Sequence, residues 1–205
     1  MHTEYEVRIL NIDVDEIKRR LDNIGAKFEW DRLQQRYVYD FIPKIPGKWI
    51  RLRTNGEKTT LTIKNLVSSR VDGTQELEIE VDDFDRTNLV LKELGYEAKG
   101  YQENRRIQYT YNGVEIDIDY WPLIPTYVEI EGSSEEAVYN TVEALGFTLP
   151  DALTWDFIFE VSKAAAEKGA DGKYKVNGQD IMLPFIYMAG KRVNCTSCSI
   201  GQSVR

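Results

Sequence analysis

The sequence predicts an α+β fold in which antiparallel β-strands form the main structure and a few helices pack beside them. Short runs alternate apolar and charged residues up to about residue 160, which is the period expected of strands. The pairs Asn55-Gly56 and Asn112-Gly113 each lie between two such runs. Asn-Gly favours a tight hairpin because both turn positions adopt positive φ. Three further segments repeat apolar residues at helical spacing and end in glycine.

Eight strands are predicted from the alternation. The two Asn-Gly turns join the third strand to the fourth and the sixth strand to the seventh. The predicted strands comprise residues 3–10, 36–41, 48–54, 57–64, 74–81, 105–111, 114–120 and 126–131.

Helices are predicted from their caps and apolar stripes. Asp13 caps the first helix, Asp85 the second, and Ser133 or Ser134 the third. The three apolar stripes consist of Ile17, Leu21 and Ile24, of Leu89, Val90 and Leu94, and of Val138, Val142 and Leu145. A fourth helix is predicted over residues 154–168.

The charge and hydropathy of the chain exclude several classes of protein. The formal net charge is −8, from 26 basic and 34 acidic residues, which argues against a nucleic-acid partner bound by broad phosphate neutralisation. The longest nearly apolar stretch, residues 181–190, is too short to cross a bilayer, and no apolar signal core opens the chain. We therefore expect a soluble, cytoplasmic protein without a membrane partner.

Histidine and cysteine are almost absent from the chain. His2 is the only histidine, and a residue at a chain terminus is rarely held rigidly enough to act as a general base or zinc ligand. Cys195 and Cys198 form a single C-x-x-C pair, which lacks the second pair that a structural zinc requires. Catalysis would therefore depend on carboxylates, amines, guanidinium groups or a bound metal.

The last part of the chain differs in character from the rest. Residues 169–205 contain few acids, a turn signal at Asn177-Gly178 and a small polar run at residues 194–201. They are predicted to form a C-terminal extension to a first domain of residues 1–168. The pattern leaves open whether the extension is an added hairpin or a loose tail.

The predicted strands share a strongly charged face, because residues two apart in a strand point the same way. An antiparallel sheet with one face in water would also alternate in this manner. Asp and Glu are poor strand formers, however, so an excess of acids on this face needs a further reason. The face carries ten acids, at positions 4, 6, 76, 78, 80, 115, 117, 119, 129 and 131, and five bases, at positions 8, 51, 53, 64 and 106.

A closed barrel with this face inside would supply that reason. Neighbouring carboxylates repel by about 4 kcal/mol at an effective dielectric constant near 20, so enclosed acids stay ionised only beside bases or a divalent metal. Oxygen ligands without His or Cys favour Mg²⁺ or Mn²⁺. Arg51, Arg53, Lys64 and Arg106 suit phosphate oxygens. Acids that hold metal beside bases that hold phosphate predict a polyphosphate site.

Some positions on the charged face have simpler explanations. Glu76 and Glu80 either join the site or only pair with bases inside the barrel. Glu115 and Asp117 are expected to face solvent at one end of the barrel. Trp121 is expected to pack in the core or at the rim.

The charged motifs, in their order along the chain, resemble those of the CYTH superfamily of triphosphate tunnel metalloenzymes. These motifs are Glu4-x-Glu6-x-Arg8, Arg51-x-Arg53, Lys64, Glu76-x-Glu78-x-Glu80, Arg105-Arg106, Asp119 and Glu129-Ile130-Glu131. The segments LDNIGAKF at residues 21–28 and LKELGY at residues 91–96 are similar to the class IV adenylate cyclase branch of that superfamily. The resemblance extends roughly over residues 3–160.

The resemblance implies a fold and a set of residue roles. The implied fold is an eight-stranded antiparallel closed β-barrel, a tunnel with a polar interior and helices packed outside. The implied ligands of Mg²⁺ or Mn²⁺ are Glu4, Glu6, Glu78, Asp119, Glu129 and Glu131. The implied phosphate-binding residues are Arg8, Arg51, Arg53, Lys64 and Arg106, and the implied catalytic residues are Arg8, Glu78 and Asp119.

Arg8 departs from the family pattern, which ordinarily has lysine at this position. Arginine stays cationic and can bind phosphate, but it cannot serve as a neutral base. The departure is therefore compatible with a weakened or altered activity.

The resemblance leaves the reaction open. The leading expectation is an adenylate cyclase of class IV type that converts ATP to cyclic AMP and pyrophosphate. The second is a triphosphatase that hydrolyses thiamine triphosphate, tripolyphosphate or a nucleoside triphosphate, since both enzymes share the triphosphate grip. A non-catalytic module that binds polyphosphate or nucleotide, and a structural sheet with a solvated charged face, are the remaining interpretations. The family analogy permits a homodimer.

Overall fold

In a computed structural model of the protein, eight antiparallel strands close into a barrel. They are β1 (His2–Ile9), β2 (Lys27–Asp40), β3 (Lys48–Thr54), β4 (Thr59–Leu66), β5 (Thr74–Val81), β6 (Ala98–Tyr111), β7 (Val114–Trp121) and β8 (Ile124–Gly132). Their order is β5-β4-β3-β2-β6-β7-β8-β1, and β1 also pairs with β5. This pairing confirms the predicted closed barrel. A short strand β9 (Ala152–Leu153) pairs with the C-terminal end of β1, at Arg8 and Ile9.

The structure describes residues 1–10, 12–68, 70–122, 124–148, 152–153, 167–168, 174–176 and 179–180. The chain divides into two units, Met1–Trp155 and Asp156–Arg205. The second unit contains a three-stranded antiparallel sheet of β10 (Glu167–Lys168), β11 (Tyr174–Val176) and β12 (Gln179–Asp180). The predicted fourth helix lies outside the described residues except at its last two positions, which form β10.

Three helices pack outside the barrel, as predicted. They are α1 (Val14–Ile24), α2 (Phe84–Glu93) and α3 (Glu135–Ala144). Asp13 caps α1 by accepting a hydrogen bond from the Glu16 backbone N–H at 3.0 Å. Ser134, and not Ser133, caps α3. None of the helices in the described part of the chain is long and apolar enough to span a bilayer.

The predictions for α2 were wrong at both its cap and its buried face. Asp83, two residues before the predicted Asp85, accepts the capping hydrogen bond from the Arg86 backbone N–H at 2.8 Å. Asp83 has the extended backbone that a cap requires, whereas Asp85 lies in the first helical turn.

The face of α2 that packs against the barrel includes a polar residue, and for this reason the apolar pattern predicted the wrong buried face. Leu91 is 6% exposed, whereas Leu89 is 58% exposed and Val90 and Leu94 are also exposed. Phe84 and Leu91 pack against the barrel. Asn88, which lies between them on the same face, accepts a hydrogen bond from the Tyr39 hydroxyl at 2.7 Å. The apolar pattern alone therefore predicted burial for the side of α2 that in fact faces solvent.

Two strands begin at least seven residues earlier than predicted. β2 starts at Lys27 instead of Arg36, and β6 starts at Ala98 instead of Arg105. The two strands pair over their whole lengths, with register shifts between Phe28 and Trp30 and between Val38 and Tyr39. Between these shifts, residues 30–38 pair regularly with residues 100–108, and the missed residues 31–35 and 98–104 are mostly polar, so they lack the apolar alternation of a strand.

Apolar residues form the core outside the barrel, between the strands and the helices. The larger core cluster joins residues of β1, β6, β7 and β8 to Ile17 and Leu21 of α1 and to Val138 and Val142 of α3. A second cluster joins β2 and β3 to α2. The opposite faces of the strands point inward and carry most of the buried charged residues. The predicted polar interior is thus confirmed.

Candidate active site

Charged side chains from distant strands meet in the interior of the barrel, which we call the tunnel. On the wall formed by β1 and β8, the register places Glu6 opposite Glu131 and Arg8 opposite Glu129. On β2 and β3, it places Arg36 opposite Arg53. In the closed strand order these two pairs of strands lie on opposite sides of the barrel. One wall is therefore rich in acids, and the other is rich in guanidinium groups.

The acidic wall contains three clustered carboxylates. Glu6, Glu129 and Glu131 each offer an oxygen that lies within 4.8 Å of the other two. Burial, together with the nearby carboxylates of Glu4 and Glu6, raises the pKa of Glu131 to about 8. Burial and the crowding of carboxylates therefore both act against ionisation of Glu131.

Arg8 lies within this cluster of carboxylates. Its Nη2 is 2.5 Å from Glu129 Oε2 and 3.1 Å from Glu6 Oε2, and all three residues are buried. Burial opposes the charged guanidinium, but the two carboxylates outweigh it and raise the pKa of Arg8. The guanidinium is therefore a permanent cation among the acids.

Arg106 joins the acids of β7 to the carboxylate cluster. Its Nε and Nη2 donate to the two oxygens of Asp119 at 2.8 and 2.6 Å, which is the bidentate geometry that arginine favours. Its Nη1 donates to Asp117 at 2.5 Å and its Nη2 to Glu129 at 3.0 Å. Arg8 and Arg106 together outweigh the effect of burial and lower the pKa of Glu129.

The prediction that Asp117 faces solvent was wrong, whereas Glu115 is exposed as expected. Asp117 is 2% exposed because its side chain points into the closed barrel, where it pairs with Arg106. Burial raises the pKa of Asp117 to about 7, although Arg106 acts in the opposite direction.

The basic wall is less well compensated. Burial and the nearby guanidinium groups of Arg53 and Arg51 lower the pKa of Arg36 to about 9. Burial and the charges of Arg51 and Arg106 lower the pKa of Arg53 to about 10. Within the described residues, the Nε atoms of Arg36 and Arg51 are buried without a hydrogen-bond partner. Both donors are thus left for a partner other than the described residues.

Lys64 and Arg51 connect this basic wall to acids on β1 and β5. Lys64 donates to Glu4 at 3.0 Å and forms an ion pair with Glu76. Arg51 is 3.3 Å from Glu76 and 3.5 Å from Glu78. Burial, followed by the charge of Arg51, lowers the pKa of Lys64. Glu76 therefore pairs with bases inside the tunnel, which was one of its two expected roles.

The structure brings most of the sequence-predicted site residues into the tunnel, in separate groups. Glu6, Glu129 and Glu131 form the carboxylate cluster. Asp119 is instead bound by Arg106 and by Asn104. Glu78 accepts a hydrogen bond from Thr62 at 2.7 Å on β4, away from that cluster. Glu80 is exposed and pairs with Lys58 at 2.5 Å.

Several tunnel residues were missed by the sequence reasoning, and Arg36 is the main one. Its alternation with Tyr37 and Tyr39, which pack in the core cluster of α2, could have indicated an inward side chain. Arg36 donates to Gln34 at 2.9 Å and to Asn104, and its Cζ lies 4.6 Å from the Trp121 ring centroid. Trp121 is half-buried beside this guanidinium group.

The donor set of the acidic wall fits a hard divalent cation. Three carboxylate oxygens lie close together without any imidazole or thiolate, and such oxygen sets suit Mg²⁺ or Mn²⁺. Burial and the neighbouring carboxylates act against the charged form of Glu131 and raise its pKa, an effect that a bound cation would oppose. The tunnel thus offers carboxylates on one wall and guanidinium donors on the other, which together can bind an anionic chain with its cation.

Comparison with known proteins identifies similar folds. A Pyrococcus horikoshii OT3 protein, PH1012, is 25% identical, with 73% of this chain and 94% of that chain covered and a TM-score of 0.64. A conserved hypothetical protein of Pyrococcus furiosus is 23% identical over 74% of this chain and 95% of its own, also with a TM-score of 0.64. A Vibrio parahaemolyticus protein, named provisionally as an adenylate cyclase, is 14% identical over 74% and 93%, with a TM-score of 0.63.

The last two of these similarities show a common fold alone. The search of curated proteins finds no match to this chain. The family comparison is more specific, because the model of the CYTH domain matches residues 2–152, which include all eight strands of the barrel. This match covers well over half of the sequence, and the chain therefore belongs to the CYTH domain family.

Proposed function

We propose that this protein is a metal-dependent enzyme that acts on a triphosphate held inside the tunnel. The observation that carries the proposal is the opposition of the two walls. Arg36, Arg51 and Arg53 lie close together, and the Nε atoms of Arg36 and Arg51 have no hydrogen-bond partner among the described residues. A phosphate chain would relieve their mutual repulsion and accept their hydrogen bonds, since guanidinium groups match phosphate oxygens.

The remaining predicted residues have complementary roles in this proposal. Glu6, Glu129 and Glu131 would hold Mg²⁺ or Mn²⁺, with Glu4, Glu78 and Asp119 as additional acidic groups. When bound, the divalent ion would offset phosphate charge and lower the pKa of the attacking hydroxyl group. Arg8, Lys64 and Arg106 would bind phosphate oxygens.

The reaction proposed first is that of a class IV-type adenylate cyclase. The ribose 3'-oxygen of ATP attacks the α-phosphorus, its proton is released to water, and the bond from the α-phosphorus to the bridging oxygen breaks. Cyclic AMP and pyrophosphate are the products. Arg36, Arg51 and Arg53 would hold the departing phosphates and offset their negative charge, which is the main contribution of a protein to phosphoryl chemistry. Arg8 would act as a fixed cation and not as a base.

A triphosphatase is the second candidate, because it would use the same grip on the phosphate chain. The basic wall and its unused donors are suited to the phosphate chain, which tripolyphosphate and thiamine triphosphate share with ATP. In that reaction water attacks the terminal phosphorus, the phosphoanhydride bond breaks and orthophosphate is released. A module that binds polyphosphate without turnover would use the same contacts.

Product identification tests these proposals directly. The protein is incubated with ATP, tripolyphosphate and thiamine triphosphate in Mg²⁺ and in Mn²⁺, and the products are separated by chromatography. Cyclic AMP with pyrophosphate supports the cyclase, and orthophosphate supports the triphosphatase. Tight binding without any product leaves only the binding module. An absence of both binding and turnover contradicts the proposed function.

Glu129→Gln provides a matched test of the acidic wall. This variant should lose most of its turnover at limiting Mg²⁺, because Glu129 is a central member of the carboxylate cluster. Glu115→Gln, an exposed change of the same chemistry on β7, should keep full turnover. Full activity of Glu129→Gln at limiting Mg²⁺ would contradict the metal-binding role.

A further inference from the structure

The position of Arg8 affects how a metal ion could bind to the acidic wall of the tunnel. Arg8 Nη2 contacts Glu129 Oε2 at 2.5 Å and Glu6 Oε2 at 3.1 Å. These two residues supply two of the three clustered carboxylates of the acidic wall. A guanidinium group therefore lies directly beside two of the carboxylates that would hold a divalent cation.

We propose that Arg8 is an internal cation that competes with divalent metal for Glu6 and Glu129, and that a triphosphate opens the metal site by drawing Arg8 away. This inference rests on the proposed function for its second part, because the triphosphate is the anion that attracts Arg8. The competition itself depends only on the contacts of Arg8 with the two carboxylates.

Charge and contact geometry both support the competition. A carboxylate oxygen that accepts a hydrogen bond from Arg8 is less available as a metal ligand. A divalent ion placed beside the unmoved guanidinium would also meet strong repulsion, since like charges at such distances interact strongly in a partly buried site. Metal binding to the free protein therefore requires Arg8 to leave the cluster.

Arg8, and not Arg106, is the arginine expected to move. Arg106 is held by bidentate hydrogen bonds to Asp119 and by a further one to Asp117. Arg8 meets Glu6 and Glu129 through Nη2 with one contact to each, without the bidentate geometry that joins Arg106 to Asp119. When Arg8 leaves, Glu129 keeps its hydrogen bond from Arg106 at 3.0 Å, so its charge does not become isolated.

Coupling between the two ligands follows from this arrangement. An anion that binds Arg8 frees carboxylate oxygens for the metal, and a metal that displaces Arg8 frees a guanidinium group for the anion. Thermodynamic linkage requires each ligand to increase the affinity for the other by the same factor. The free protein should accordingly bind metal weakly and the protein with triphosphate should bind it tightly.

The test uses Mn²⁺ alone and tripolyphosphate alone on metal-stripped protein. Free Mn²⁺ is measured by electron paramagnetic resonance, and tripolyphosphate binding is measured by calorimetry in the presence of a chelator. Arg8→Gln should bind Mn²⁺ about tenfold more tightly than wild type or better, because removing a neighbouring positive charge favours a cation. It should bind tripolyphosphate more weakly than wild type.

Arg51→Gln is the matched control, since it removes the same charge from the tunnel but from a residue that contacts Glu76 and Glu78. It should lose tripolyphosphate affinity with a much smaller gain for Mn²⁺. Arg8→Met, whose unbranched side chain fills similar space without charge, is the second variant if Arg8→Gln does not fold. Equal gains for the variants at positions 8 and 51, or no gain at position 8, would overturn the competition.

The two proposals fail in different ways. If wild type does not bind tripolyphosphate but the Arg8 variants gain Mn²⁺ affinity, the proposed function is wrong and the competition is supported. If wild type binds tripolyphosphate and Arg8→Gln binds it equally well, the anion does not draw Arg8 away and that part of the inference is overturned.

Discussion

Individual side chains in the tunnel differ in how well their charges are compensated. Arg106 contacts three carboxylates. Arg36, which is 8% exposed, donates within the described residues to the amide groups of Gln34 and Asn104 and faces other guanidinium groups. A buried charge without a counter-charge costs stability, so such a residue is expected to serve a ligand.

Arg36→Gln should separate ligand binding from stability. We expect tripolyphosphate affinity to fall by about tenfold or more, because a hydrogen bond from a charged group is worth about 1.5 to 3 kcal/mol. The free energy of unfolding without ligand should be unchanged or higher, because the repulsion from Arg51 and Arg53 is removed. Calorimetry and urea denaturation measure the two quantities.

Arg105→Gln is the control for Arg36→Gln. Arg105 is also an arginine, but it lies outside the tunnel and pairs with Asp31 at 2.5 Å. It should leave tripolyphosphate affinity unchanged. A parallel loss of binding and stability in Arg36→Gln would show that Arg36 supports the fold and does not primarily serve a ligand.

At the scale of elements, α2 depends on a narrow contact with the barrel. Leu91 is the buried residue of this helix, and it packs in the cluster that contains Tyr39, Ile50 and Leu52. Leu91→Ala should lower the free energy of unfolding by about 2 to 4 kcal/mol, because it removes buried methyl groups and leaves a cavity. Urea denaturation followed by circular dichroism measures the change.

Leu89→Ala makes the same chemical change on the exposed side of α2. Its effect should stay within about 0.5 kcal/mol, as for most surface substitutions. The hydrophobic pattern alone assigns Leu89 to the buried face, whereas the structure assigns Leu91. A larger loss for Leu89→Ala than for Leu91→Ala would therefore contradict the observed orientation of the helix.

At the scale of the whole molecule, closure of the barrel makes ligand binding and stability interdependent. A triphosphate that contacts both walls would hold strands from opposite sides of the barrel. At 100 times its dissociation constant, tripolyphosphate should add about 2.7 kcal/mol and raise the Tm by roughly 5 to 10 °C. Differential scanning fluorimetry of metal-stripped protein measures this shift.

Ionic strength and ligand length provide the controls for this stabilisation. The shift should decrease in high salt, because screening weakens the attraction between anion and tunnel. Orthophosphate at the same concentration should stabilise the protein less, since it cannot reach as many of the guanidinium groups. An equal shift with both anions would contradict a site that recognises a phosphate chain.

Much of the barrel could be predicted because strand alternation is a local property. The side-chain period of two assigned Glu6, Arg8 and Glu129 to one face, and the Asn-Gly turns located two hairpins. The order of the charged motifs then indicated the CYTH family. None of these inferences required knowledge of which strands are neighbours.

The amino-acid sequence by itself therefore determined the strands, the charged face and the type of chemistry that this face suits. Only the tertiary structure decided that Asp117 is enclosed, that Arg8 contacts both Glu6 and Glu129, and that Arg36 hydrogen-bonds to amide groups in the described part of the chain. The reason is physical: the state of a buried charge depends on its neighbours across the tunnel, and barrel closure brings those neighbours together from strands far apart in the chain.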